Sequence, residues 1–247
     1  MTDISEVIGL LAGLNEAEQR QAFAFLRQRI PIHRMEQTLM APAELILEAI
    51  ARASDLTVRG VEGIIAEASF TSEVVPTLKG WQSVPYHGDV PFDALLTDGV
   101  GDPIRVQVKM QRREKRVPLM ASEVMKKRKW PNSYYVVETQ KTRAGKDENG
   151  ESTRPYKFGS FDILAVSLGA SQGRWSAFLY TVASWLLPQE NDETKLLTYQ
   201  PVPPTSNDWW THDFLTCVGW LRSDKKGRIG ENAHQEPGPL FSSLPEG

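Results

Sequence analysis

The stretch PFDALLTDGVGDPIRVQVKMQRREK, residues 91–115, decides how this chain is read. In its second half Ile104, Val106, Val108 and Met110 alternate with Arg105, Gln107, Lys109 and Gln111. Successive side chains of an extended chain point to opposite sides, so period-two alternation predicts a strand with one buried face. Residues 93–97 read as a preceding strand, and the intervening DGVGDP is dense in turn formers. Together they predict a β-hairpin. Paired strands lie about 4.8 Å apart, so Asp93 at the start of one can meet Gln107 and Lys109 on one face of the other.

That juxtaposition has a chemistry. A carboxylate and an amide oxygen suit a hard divalent cation, which prefers oxygen ligands. The Val108 carbonyl supplies a third oxygen. The Lys109 ammonium can orient a water or stabilise charge on a phosphorus centre under attack. These are the parts for hydrolysing a phosphodiester. Two other acidic-x-Lys tripeptides, Glu193-Thr-Lys195 and Asp224-Lys-Lys226, lie in polar, turn-like surroundings without a strand pattern.

Outward from the hairpin, the first eighty residues read as helical. Amphipathic segments span 4–11 and 15–30, with Asn15 a plausible N-cap and Pro31 a stop, followed by apolar helices over 42–54 and 57–70. In the last, Val61, Ile64, Ile65 and Ala68 are expected on the buried side. Strands are expected at 81–87, 134–138 and 161–167, and a basic helix at 121–130. Residues 144–153 read as a loop, and 175–187 as an apolar element of either type. From Pro188 the chain is polar, and its Gly/Pro-rich end is expected to be poorly ordered. The order predicts an α/β fold: a mixed central sheet flanked by helices, with an N-terminal helical region. The expected divisions are 1–56, a core over 57–187, and an extension over 188–247.

The chain has 247 residues, 24% of them charged, with a net charge of −3. That balance hides a segregation. Residues 101–160 hold 15 Lys/Arg against 7 Asp/Glu, whereas the rest hold 13 against 24. A basic surface on an acidic body points to a polyanionic partner. The single cysteine, Cys217, excludes an internal disulfide and a Cys-based zinc site, and the four histidines show no ligand spacing. There is no apolar run of about 20 residues, and the first residues lack the basic region of a secretory signal, so a cytoplasmic protein is expected.

The hairpin pattern resembles the PD-(D/E)xK nuclease superfamily, and type II restriction endonucleases in particular. The resemblance covers roughly residues 58–182, including the looser likeness of RPYKFGSFDILAVSLGASQGRWSAFLYTV, 154–182. It implies a restriction-endonuclease-like core that cuts double-stranded DNA at a short sequence with Mg2+. Asp93 would be the metal-binding Asp, Gln107 would fill the usual acidic position, and Lys109 would be the catalytic Lys. A Glu from the preceding helix completes such sites, with Glu62 the best match and Glu67 the reserve. Two departures stand out: Phe92 separates Pro91 from Asp93, and Gln107 is neutral. The family also implies a homodimer, with the N-terminal helices as its expected surface, and a companion DNA methyltransferase. Arg112, Arg113, Lys115 and Arg116, which follow the strand directly, are the expected DNA contacts. Lys126 to Lys129, and the region holding Asn207, Trp209 and Trp210, read equally as ordinary surface and core. A structure-specific repair nuclease, a catalytically silent DNA-binding protein and an α/β interaction module are the rival readings.

Overall fold

The computed structural model describes residues 3–141, 145, 150, 153–223 and 225–230. They divide into two units, Met1–Val58 and Arg59–Gly247. The expected disorder of the C-terminal end, the position of His234 and most of the 144–153 loop lie outside the described residues.

The first unit is built from α1 (Ile4–Ala12), α2 (Glu16–Arg27), α3 (Met35–Leu39) and α4 (Ala43–Ala51). Asn15 caps α2 reciprocally: its side chain accepts from the Glu18 N–H at 3.1 Å, and the Glu18 carboxylate accepts from the Asn15 N–H at 2.9 Å. Among the described residues of this unit, Glu36 alone is buried. It pairs with Arg27 and accepts backbone N–H bonds from Ile32 at 2.8 Å and Ala43 at 2.5 Å. Arg27 also reaches Glu44 at 2.8 Å. The unit is therefore organised by a polar knot. Its apolar side chains, among them Ile4, Ile8, Phe23, Phe25 and Leu47, are exposed.

α5 (Asp55–Ser69) leads into the second unit and continues as a π-helical turn over Phe70–Val74. Its buried residues are Glu62, Ala66 and Ser69, while Ile64 is 65% exposed. This reverses the expected face. Phe70 decides it, packing at 5.5 to 6.4 Å between ring centroids against Phe178, Tyr180 and Phe214. Phe70 is fully buried in that aromatic cluster, whereas Ile64 and Ile65 stay exposed. It also sets the rotation of the turn just before it, where Glu67 lies.

The central sheet has five strands in the order β1 (Gln82–Ser83), β2 (Ala94–Thr97), β3 (Ile104–Met110), β7 (Ile163–Ser167), β8 (Phe178–Val182). The β3–β7 pair is parallel and the other pairs are antiparallel, so the sheet is mixed. The strand expected over 81–87 is reduced to β1. Asp162 pins the parallel pair at its start: its carboxylate accepts from the Arg105 backbone N–H at 2.8 Å and from the guanidinium at 2.6 Å and 3.0 Å. All of β7 and β8 is buried, which explains why their sequences run apolar without alternation.

After β3 come a short ribbon, β4 (Arg113–Glu114) and β5 (Val117–Pro118), then α6 (Ala121–Val124), β6 (Tyr135–Glu138) and, past β7, α7 (Gly169–Gln172). The basic helix expected over 121–130 is only α6: the backbone leaves helical geometry at Met125, before the cations at 126–129. The segment from Pro188, expected as a C-terminal extension, lies in the second unit. It supplies β9 (Tyr199–Val202), paired with β6, and α8 (Phe214–Arg222), and it buries Leu196, Val202, Trp210, Phe214, Cys217 and Val218. Trp210 is core, and His212 Nδ1 lies 2.9 Å from the Phe178 carbonyl.

Candidate active site

β3 places Gln107 and Lys109 on one face, two residues apart, as the period of a strand requires. Asp93 sits one residue before β2. Its backbone N–H donates to the Val106 carbonyl at 2.9 Å, which sets it opposite Gln107. Asp93 Oδ2 then accepts from the Val108 N–H at 2.8 Å and from the Gln107 side-chain amide. The same amide nitrogen donates to the Val108 carbonyl at 3.2 Å. Gln107 Oε1 is buried without a hydrogen-bond partner. The hairpin thus brings Asp93, Gln107 and Val108 together, with Gln107 meeting Asp93 as a donor.

Asp93 and Lys109 open onto a cleft of about 740 Å³, whose other walls include Glu67, Asp89, Lys141 and Tyr156. Burial pushes the Asp93 carboxyl above its ordinary range, while the Lys109 charge and the bonds from Val108 and Gln107 pull the other way. Burial also raises Glu67; the Asp93 charge adds to that, and Lys109 opposes it. Burial, then Asp93, Glu67 and Asp89, raises the Tyr156 phenol beyond the usual range. The Lys109 ammonium lies 5.6 Å from the centre of the Tyr156 ring, within cation–π reach. Two desolvated carboxylates beside one lysine form a place where an added cation relieves an electrostatic cost.

The carboxylates of Asp93 and Glu67 suit a magnesium-like ion. Asp93 and Glu67 are hard oxygen ligands that line the cleft, while Gln107 lies beneath it with its Oε1 buried and without a partner. No cluster of three acidic, His or Cys side chains suited to a metal occurs among the described residues. A bound ion would therefore draw ligands from water and substrate as well, as magnesium commonly does.

The helix carboxylate at the cleft is Glu67, in place of the favoured Glu62. Glu62 turns to the other side of α5 and pairs with Arg113, both side chains being largely buried at 12% and 15% exposure. Helical geometry accounts for this: residues five apart on a 3.6-residue turn point in different directions, and the Phe70 anchor picks which one faces the strands. Arg113 is correspondingly withdrawn from the surface. Arg112 faces Glu138 at 3.4 Å, and Arg154 shares that carboxylate at 3.1 Å. Of the four expected DNA contacts, only Lys115 and Arg116 are exposed. Asp89, Lys141 and Tyr156 each stand in a turn or irregular segment, where no periodic signal in the sequence singles out a site residue.

No protein-family model matches this chain, and no curated protein matches it. Among solved structures it is similar to a bacterial homing endonuclease, I-Ssp6803I, at 19% identity, covering 60% of this chain and 79% of that one, with a TM-score of 0.32. A likeness that distant carries no argument about activity. What stands on this chain's own geometry is the class: a mixed α/β fold whose hairpin and helix gather two carboxylates and a lysine in one cleft. No described helix is long and apolar enough to cross a membrane.

Proposed function

We propose that this protein is a magnesium-dependent endonuclease of restriction type, cutting duplex DNA at a short specific sequence. The observation that carries the reading is the meeting of Glu67, Asp93 and Lys109 in one cleft, reached from a helix and both strands of a hairpin. Asp93 and Glu67 would hold the cation, with Gln107 Oε1 or the Val108 carbonyl as neutral oxygens. When bound, such an ion supplies an activated water and a counter-charge for phosphate. Lys109 stabilises the negative charge that grows on the phosphoryl oxygens, and the Tyr156 ring holds its ammonium in place. The exposed basic residues beyond β3 form a surface that attracts the DNA. The apolar side chains exposed on the N-terminal helices offer a surface for a homodimer, which would match a palindromic site.

A second reading has its own support. The Gln107 amide donates to Asp93, so the usual second acidic ligand is absent, and a protein that binds DNA without cutting it would tolerate that. One experiment separates the two: large unmethylated DNA incubated with the protein and with Lys109→Ala, with and without magnesium. Discrete fragments from the wild type alone, only with metal, support the nuclease. Intact DNA that is nonetheless shifted in a gel supports the silent binder, and cutting that appears only on Gln107→Glu does the same.

A further inference from the structure

β4 and β5 form a ribbon whose two-residue turn is Lys115-Arg116. Both turn residues have positive φ, +48° and +66°. Positive φ at both central positions defines a type I′ hairpin turn, which Asn-Gly fills best because the left-handed region clashes with a side chain's Cβ. Only three non-glycine residues adopt positive φ among the described residues, and two of them stand here in succession. Both carry long cationic side chains, and both are exposed. The two-residue connection itself asks for positive φ at both positions; what departs from the norm is that two exposed cationic side chains, in place of Asn-Gly, occupy them.

The base of the ribbon is held firmly. The Arg112 N–H donates to the Val136 carbonyl at 2.8 Å, the Val136 N–H donates to Leu119 at 3.2 Å, and Leu119 donates back to Arg112 at 2.9 Å. The guanidinium groups of Arg112 and Arg113 face Glu138 and Glu62. The two arginines nearest the core thus brace the ribbon, and the two cations at its tip project from a rigid support. The ribbon follows β3 directly, so its base is set by the strand that carries Lys109.

We propose that this ribbon enters the major groove of duplex DNA and that Lys115 and Arg116 read base edges there; the assignment rests on the reading of the cleft as a nuclease site. A major groove about 12 Å wide admits a two-stranded ribbon, and Arg and Lys pair best with the O6 and N7 acceptors of guanine. The inference adds two things to the proposed activity: the element that sets specificity, and guanine as a base the recognition site contains. Strain kept at an exposed cationic tip is what a groove-reading element predicts, and what a plain solubilising turn would have shed.

The test uses a randomised duplex pool with the full-length protein in calcium, with sequencing of the bound fraction, alongside the Lys115→Asn/Arg116→Gly double variant. The wild type should enrich a motif containing guanine. The variant, with a turn pair that suits its backbone, should melt about 3 °C higher and lose the enrichment at the guanine positions at least tenfold. Loss of affinity with the motif intact would mean phosphate contact only and overturn base reading, as would an unchanged motif. Magnesium-dependent cutting by the wild type at a motif the variant shares would overturn this inference alone. If the wild type neither binds nor cuts DNA, the cleft reading falls and the ribbon's role falls with it.

Discussion

The Gln107 side-chain amide donates to the Asp93 carboxylate, while the oxygen of the same amide is buried without a partner. The contact orients Asp93 without neutralising it. It also spares the site a further negative charge beside Asp93. An unsatisfied buried oxygen costs about 1–3 kcal/mol, and a cation or a substrate donor that reaches it recovers part of that.

Gln107→Glu should therefore trade one state for another. Without divalent cation, the new carboxylate faces Asp93 and loses the donated bond, and stability should fall by about 1–3 kcal/mol. Magnesium should restore it more strongly than it stabilises the wild type. Thermal melts of both proteins over a magnesium series check this. Identical melting of the two in chelator would show that the Asp93 contact carries no weight.

Glu67 and Glu62 are separable by what each loss does. On the proposed nuclease reading, Glu67→Gln should abolish the cation-dependent stabilisation expected of the wild type, about 2.7 kcal/mol at a hundred times Kd, and should abolish cutting. Glu62→Ala should keep the cation response but lower stability, because it removes the carboxylate that pairs with a largely buried Arg113. Denaturant titrations with and without magnesium resolve both. A cation response lost in Glu62→Ala and kept in Glu67→Gln would reverse the assignment.

In the N-terminal unit the Glu36–Arg27 pair stands where an apolar core would. Glu36→Ala removes its bond to Arg27 and its two backbone contacts, so this unit should unfold at a temperature where the second unit stays folded. Limited proteolysis should then cut within residues 1–58 and leave the remainder intact.

Asp213 caps α8: its carboxylate accepts from the Thr216 hydroxyl at 2.6 Å and the Thr216 N–H at 2.9 Å. Those bonds hold the carboxyl below its ordinary value of 3.8, the Thr216 hydroxyl contributing most. Asp213→Ala should cost about 1 kcal/mol at neutral pH. A folded-state pKa below the unfolded one gives stability that is complete above about pH 4 and is lost as pH falls through the lowered value. The gap between wild type and variant should close on acidification. A gap independent of pH would deny the carboxylate its role.

The hairpin was legible because its pattern is local. A strand alternates by two, a turn needs Gly, Asp or Pro, and pairing across a short turn follows from register. Asp93, Gln107 and Lys109 are candidates on that basis, whereas the mixed α/β class follows from the order of elements along the chain. The capping of α2 by Asn15 was equally local. The regions after Trp175 were less readable, because a continuous apolar run suits a buried strand and a buried helix alike.

What the sequence by itself determined is the set of short-range choices: where the hairpin lies, that an acid, an amide and a lysine share its surface, and that cations follow at once. The tertiary structure alone decided which of those groups face one another. It chose Glu67 over Glu62 because Phe70 locks the rotation of α5 against residues more than a hundred positions away. It withdrew Arg112 and Arg113 into ion pairs and left Lys115 and Arg116 at a strained tip. A helix carries every candidate around its circumference, and only the partner it packs against determines which one meets the strand.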